Sequence, residues 1–241
     1  MEDKRFAILI DGDNTSSKYI KTIIDEVTKE GVITYKRIYG DWASPAMNSV
    51  WKDILLEYSI TPVQQYAYTK GKNATDSAMI IDAMDILYTG KVDGFCLASS
   101  DSDFTRLAAR LREAGMIVIG MGKQQTPKPF VTSCSKFKYV DLISDEPTKQ
   151  TEQKELQANE KAIKRAIDDM LDSNADAEGW LLASTVGTLL QKQFSDFDCR
   201  NYGYKKTIDL LKHMGYKTKV SNDGTTYYIS KPANKKPAKK K

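Results

Sequence analysis

Four aspartates have the residue type and the placement needed for metal-assisted chemistry. Asp11 directly follows the apolar run Phe6-Ala7-Ile8-Leu9-Ile10, in Asp11-Gly12-Asp13-Asn14. Asp101 and Asp103 follow a second apolar run, Gly94 to Ala98, in Ser99-Ser100-Asp101-Ser102-Asp103-Phe104, and Asp76 opens an apolar helical stretch between the two. In open α/β sheets ligands bind beyond the carboxyl ends of the strands, where strand order reverses. If the two apolar runs are neighbouring strands at such a point, all four carboxylates meet in one small volume. Like charges that close repel, and one group must protonate unless something neutralises them. A divalent cation does so, and hard carboxylate oxygens suit Mg2+ or Mn2+. One or two such ions activate water and stabilise charge on a phosphodiester during in-line displacement, so the expected chemistry is metal-assisted phosphodiester hydrolysis. Aspartate is also favoured at helix N-caps and in first turns, which accounts for Asp76 or Asp103 singly but not for the four together.

Several neighbours could support these acids. Asn14 is placed to orient a carboxylate or bind a water, or to cap a helix. Lys70 and Lys72, in the Gly/Asn-containing loop ahead of Asp76, are candidate contacts to substrate phosphate, or solvated loop charges. Asp82 and Asp85 lie inside the apolar helix; Asp82 is the better candidate, although its spacing from Asp76 does not put the two on one face. For Tyr39 and Trp42, near the end of a second strand, base stacking is one role and core packing the commoner one.

The elements that must position these residues follow from hydrophobic periodicity. Ile20, Ile23, Ile24 and Val27 give a helical period after the first apolar run. The alternation continues through a strand from Val32 to Tyr39, a helix starting near Pro45, and a strand from Thr61 to Ala67. A helix from Asp76 to Leu87, the strand Gly94 to Ala98, a helix from Asp103 to Glu113 and a strand from Met116 to Met121 complete it. The last two strands are near-continuous apolar runs, as central strands of a parallel sheet covered on both faces should be. A doubly wound, parallel-sheet α/β domain is expected over residues 1–145.

Residues 146–159 turn polar and read as a linker. Over 160–230 come a helix bearing Ile163, Ile167, Met170 and Leu171, and a second running from a Ser184 cap through Val186, Leu189 and Leu190. A third, with Ile208, Leu210, Leu211 and Met214, precedes a hairpin of Tyr216 to Val220 and Thr225 to Ser230. That order predicts a small winged-helix (α+β) domain. Residues 231–241, a Lys/Pro/Ala stretch without an apolar period, read as a disordered basic tail.

Composition bounds the remaining possibilities. The chain has 241 residues, 41% hydrophobic, 28% charged and 10% aromatic, which excludes general disorder and a fibrous repeat. One histidine, His213, lies near the C-terminus and removes Ser-His-Asp and His-Cys chemistry from the first domain. Cys96, Cys134 and Cys199 are widely spaced and signal neither a disulfide framework nor a CxxC zinc site, so any metal is held by oxygen. The net charge is +4, yet six lysines fall in 231–241, leaving residues 1–230 at −2. The tail can therefore attract nucleic acid by counterion release, or serve as a solubilising terminus, while the folded body is not globally basic. No apolar run approaches the roughly 18 residues of a membrane span. Met1-Glu2-Asp3-Lys4-Arg5 leads into a strand-like segment rather than a signal-peptide h-region. A cytoplasmic location with no membrane partner is expected.

Residues 5–143 resemble the NYN family of the PIN-like nuclease superfamily, in particular its LabA-like branch. The likeness rests on Leu9-Ile10-Asp11-Gly12-Asp13-Asn14, on Lys70-Gly71-Lys72 ahead of Asp76 with Asp82 beyond it, and on Ala98-Ser99-Ser100-Asp101-Ser102-Asp103-Phe104. It implies a PIN-like fold, with Asp11, Asp76, Asp101 and Asp103 around Mg2+ or Mn2+, Asn14 in support, and RNA as substrate. The family commonly has a glycine ahead of the final acidic pair where this chain reads Ala98-Ser99-Ser100, a difference expected to have little effect.

Residues from about 160 to 230 look like an OST-HTH (LOTUS) domain through Gly179-Trp180, Phe197-Asp198, Asn201-Tyr202-Gly203-Tyr204 and the terminal hairpin. That resemblance implies a module binding RNA, including guanine-rich structured RNA, or a helicase or other protein partner. Independently of it, Arg200, Lys205, Lys206 and Lys212 gather around the third helix, where a nucleic-acid-facing surface would put them. Arg200, Lys205 and Lys206 thus join Lys70 and Lys72 as candidate substrate contacts. A homodimer that builds a substrate groove is a further expectation.

Three other readings compete. Asp11-Gly12-Asp13-Asn14-Thr15 satisfies the DxDxT motif of haloacid-dehalogenase-like phosphatases, with Asp11 as nucleophile and Asp13 as general acid. A helical period begins within a few residues of Thr15, however, leaving no room for the flap such enzymes insert there. A dinucleotide-binding Rossmann domain lacks its GxGxxG in the first β-α turn. A noncatalytic RNA-binding adaptor, keeping the acids without turnover, stays open.

Overall fold

A computed structural model of the chain describes residues 3–66, 74–144, 153–221 and 224–232. The chain divides into two units, Met1–Thr148 and Lys149–Lys241. In the first, the strands are β1 (Arg5–Asp11), β2 (Val32–Gly40), β3 (Thr61–Gln64), β4 (Gly94–Ala98), β5 (Ile117–Gly122) and β6 (Lys136–Tyr139). They pair in parallel throughout, in the order β3-β2-β1-β4-β5-β6. The helices between them are α1 (Ile20–Thr28), α2 (Pro45–Glu57), α3 (Ala74–Tyr88), α4 (Thr105–Glu113), α5 (Lys128–Ser133) and α6 (Val140–Ile143).

Alternation along β1 explains the two cores. Phe6, Ile8 and Ile10 point to one face, against Ile20, Ile23 and Val27 of α1, Trp51 of α2 and Val140 of α6. Ala7 and Leu9 point to the other, against Met79, Ala83 and Ile86 of α3, Leu107 and Leu111 of α4, and Phe130 of α5. Successive strand residues face opposite sides, so a wholly apolar strand requires cover on both. Each buried Phe, Ile, Leu, Val or Met side chain contributes about 1.5–3 kcal/mol. Strand order reverses between β1 and β4, where Ile10 lies opposite Ala98, so Asp11 and Ser99 leave the sheet side by side.

Several features of this unit differ from the periodicity reading, which also did not include α5 and α6. The sheet has a sixth strand, because Lys136-Phe137-Lys138-Tyr139 is too short and too charged to stand out. Phe137 and Tyr139 are buried while Lys136 and Lys138 reach Glu30 and Glu26, each at 2.7 Å. Lysines on an edge strand also discourage pairing with another chain. The helix expected from Asp103 instead opens as a 3-10 turn, Ser102–Phe104, since the Asp101 side chain accepts the Asp103 N–H at 2.9 Å and caps it. β3 ends at Gln64, and Ala67 lies outside the described residues.

The second unit comprises α7 (Gln153–Asn174), β7 (Leu181–Leu182), α8 (Ala183–Gln193), a 3-10 turn (Cys199–Tyr202), α9 (Thr207–His213), β8 (Lys217–Val220) and β9 (Tyr227–Ser230). Ile163, Ile167 and Leu171 of α7, Val186 and Leu190 of α8, and Leu210 and Leu211 of α9 close one core with Ile229. The sheet is antiparallel, in the order β7-β9-β8, so the expected hairpin gains a third strand, with Leu181 opposite Ile229. This is the winged-helix arrangement. Ser184 is not the cap of α8: Leu182 holds that position and Ser184 lies in the first turn. α7 begins at Gln153, inside the stretch read as linker, because Gln, Lys, Glu, Leu and Ala favour helix without any apolar period.

Candidate metal centre

The end of β1 is built around a buried carboxylate. Asp11 is fully buried, and its Oδ1 accepts the backbone N–H groups of Asp13 at 3.2 Å and Asn14 at 3.3 Å. Its Oδ2 accepts the Asn14 side-chain amide at 2.8 Å and the Ser99 hydroxyl at 2.6 Å. Burial pushes its pKa up, with these hydrogen bonds opposing. Gly12 makes the turn possible, because its N–H donates to the Tyr39 carbonyl at 2.9 Å and a Cβ there would stand 2.7 Å from that same oxygen. Thr15 secures the loop from beyond, its hydroxyl donating to the Ala98 carbonyl at 2.9 Å.

Ser99 joins this loop to the one after β4. Its Oγ donates to Asp11 and accepts the Asp101 N–H at 3.0 Å. Ser100 then braces the neighbouring strand end, accepting the Lys123 N–H at 2.9 Å. The sequence marks the two serines only as a departure from the family pattern and gives neither a role; their signal is two hydroxyls set directly between an apolar strand and an acidic pair.

Asp76, Asp101 and Asp103 come together: each offers a carboxylate oxygen within 4.8 Å of the other two. Among the described residues they form the group able to hold a metal ion. Asp76 is partly buried and its pKa is pushed up to about 6, first by burial and then by the negative charges of Asp11, Asp101, Asp103 and Asp13. Asp11 therefore acts on Asp76 electrostatically while lying outside the set of three. With no exposed oxygen, Asp11 is ill placed to attack phosphorus, which counts against the phosphatase reading.

The other candidates divide sharply. Of the alternatives for Asn14, the structure has its side-chain amide on the Asp11 carboxylate. Lys70 and Lys72 lie outside the described residues. Asp82 faces β2 and accepts from the Arg37 guanidinium and the Tyr39 hydroxyl, whereas Asp85 is exposed. Tyr39 is fully buried in the core and presents no free ring for a base, whereas Trp42 is half-buried and its Nε1–H donates to the Val63 carbonyl at 3.0 Å.

In the second unit Lys205 and Lys206 are exposed. Arg200 is engaged instead by Asp198, its Nη2 at 2.6 Å and Nε at 3.0 Å from the carboxylate, and it sits in the 3-10 turn rather than on α9. Cys96 and Cys134 are buried, the latter with its thiol pKa pushed up to about 12, and are chemically quiet. No helix among the described residues is long and apolar enough to cross a membrane.

A solved structure of a protein of unknown function from Vibrio parahaemolyticus shares 19% identity at a TM-score of 0.49, covering 60% of this chain and 95% of that one. No curated protein matches. Residues 154–228 match the OST-HTH/LOTUS domain, the winged-helix unit described above. Residues 5–142, more than half of the chain, match the NYN domain and span the whole sheet with its acidic triad. The chain belongs to the NYN domain family of PIN-like nucleases, with an OST-HTH/LOTUS domain on its C-terminal side.

Proposed function

We propose that the protein is a metal-dependent ribonuclease: its first unit hydrolyses RNA phosphodiester bonds and its second binds RNA. The observation that carries this reading is the convergence of Asp76, Asp101 and Asp103 within 4.8 Å, with a pKa at Asp76 raised to about 6. Such a site is electrostatically unfavourable until a cation enters. The donor set fits Mg2+ or Mn2+, being all oxygen and little wider than the roughly 4 Å that separates opposite ligands of an octahedral Mg2+. Asp76, Asp101 and Asp103 hold the ion, and Asp11 adds a fourth negative charge behind them. When bound, the ion supplies positive charge against the phosphodiester and its developing oxyanion.

The chain's own residues do the rest. Asp11 fixes Asn14 and Ser99, Ser99 fixes the backbone of Asp101, and the Asp101 side chain fixes the backbone of Asp103. The acids are thereby held in place before the substrate arrives, which is how a preorganised site lowers a barrier. Lys70 and Lys72 are retained as contacts to substrate phosphate, and Lys205 and Lys206 as the phosphate contacts of the second unit. Arg200 supports its own turn through Asp198. A helicase or a second copy of the chain remains a further partner for the second unit or for the whole.

The test is incubation of the full chain with end-labelled single-stranded and structured RNA in Mn2+, Mg2+ or EDTA, beside Asp101→Asn. Metal-dependent cleavage lost in the variant supports the nuclease. Equal RNA binding without cleavage under every condition would make the protein an adaptor.

A further inference from the structure

Asp76 reaches the centre from α3, a helix whose composition does not fix its own rotation. Met79, Ala83 and Ile86 are buried, yet Ile81 is 63% and Tyr88 73% exposed, so apolar residues run around most of its circumference. A strongly amphipathic helix is held in one rotation by the cost of exposing its apolar face. Here, a turn of one residue in one direction, about 100°, exchanges Met79, Ala83 and Ile86 for Ile80, Met84 and Leu87, a second apolar set. It would also carry Asp76 away from Asp101 and Asp103. Hydrophobic burial is thus a weak selector of the register on which the centre depends.

A polar contact supplies what burial does not. Asp82 accepts from the guanidinium of Arg37 and from the hydroxyl of Tyr39, two residues that share one face of β2. Both donors come from the strand, so Asp82 meets them in one rotation and one axial position of α3. Tyr39 lies opposite Asp11 in the sheet, and its carbonyl accepts the Gly12 N–H at 2.9 Å. The same residue therefore touches the loop that carries Asp11 and the helix that carries Asp76. Buried polar groups of this kind serve in other proteins to specify register where apolar packing is degenerate.

We propose that Asp82, held by Arg37 and Tyr39, is a positioning residue that sets the rotation and register of α3 and so places Asp76 against Asp101 and Asp103. It is not itself a ligand. Its consequence for ion binding rests on the reading of the centre given above; its consequence for geometry does not.

The test uses the metal-free full chain carrying Asp82→Ala, or Tyr39→Phe, which removes only the hydroxyl and keeps the ring in the core. Val27→Ala, on the opposite face of the sheet, controls for lost stability. Crystal structures of both lock variants are expected to show Asp76 displaced, so that the three carboxylates no longer lie within 4.8 Å. Their Mn2+ affinity, by calorimetry, is expected to fall about tenfold or more, while Val27→Ala keeps the wild-type value. Asp76 unmoved in both variants, or Val27→Ala losing as much affinity as they do, would overturn the assignment. Should Asp82→Ala not fold, Tyr39→Phe decides. If Asp76 moves while the wild type itself binds no Mn2+, the register role stands and the ion reading fails.

Discussion

Ser99 Oγ donates to Asp11 Oδ2 at 2.6 Å, and through that hydroxyl the end of β4 is tied to the end of β1. The same oxygen accepts the Asp101 N–H at 3.0 Å, so a buried carboxylate and an acid of the triad are two hydrogen bonds apart. The centre's geometry is thereby built into the point where strand order reverses.

Ser99→Ala removes a hydroxyl donor from a carboxylate that has no solvent to replace it. A hydrogen bond to a charged group is worth about 1.5–3 kcal/mol, and urea unfolding of the variant should show a loss of that size. A change under about 0.5 kcal/mol, typical of an uninvolved surface position, would mean that the hydroxyl does not matter. Asp11→Asn should also cost stability, because an amide NH2 then faces donors it cannot accept from.

Asp76→Asn should act in the opposite direction. The folded-state pKa of Asp76, about 6, lies above its ordinary value of 3.8, so the folded protein favours the protonated acid. Stability of the metal-free wild type should fall as pH rises from about 4 through about 6 and then level off. Asp76→Asn carries no such penalty and should melt higher than wild type at pH 7 without metal. A lower melting temperature would assign Asp76 a structural role.

Proton and metal compete for the same carboxylate, which fixes the pH dependence of binding. Below the raised pKa of Asp76, Mn2+ affinity should fall about tenfold per pH unit, one proton being displaced. Above it, affinity should become flat. Calorimetry from pH 5 to 7.5 reads this directly; a flat profile across that range would show that Asp76 does not ligate.

Lys205 and Lys206 are exposed and Arg200 is paired, which separates their roles. Replacing both lysines by alanine should lower the slope of log affinity against log salt by about 1.4, at about 0.7 per phosphate on single-stranded RNA. Arg200→Ala should lower thermal stability and leave that slope unchanged. Fluorescence anisotropy with a labelled oligonucleotide at several salt concentrations decides between these outcomes.

Much of the fold is legible because its signals are strong and local. β1 and β4 are unbroken apolar runs, and α1 and α4 have clear helical periods; each reports its own burial. β6 is not legible, since its inward residues are only Phe137 and Tyr139 and its lysines are neutralised by Glu26 and Glu30 from far along the chain. The acids of the centre are visible because strand ends are where ligands bind. What joins them is not. Ser99 is an ordinary serine in sequence, and Asp82 takes its meaning from Arg37 and Tyr39, a pairing that only the sheet creates. Arg200 is a related case: its ion pair with the neighbouring Asp198 is a second role that basic character near a helix does not reveal.

Anomalous diffraction at the manganese edge, from a crystal of the full chain grown with Mn2+, locates the ion without reference to activity. A peak should lie about 2.1 Å from a carboxylate oxygen of each of Asp76, Asp101 and Asp103. Density elsewhere, or none with the three side chains turned apart, would contradict a shared ion.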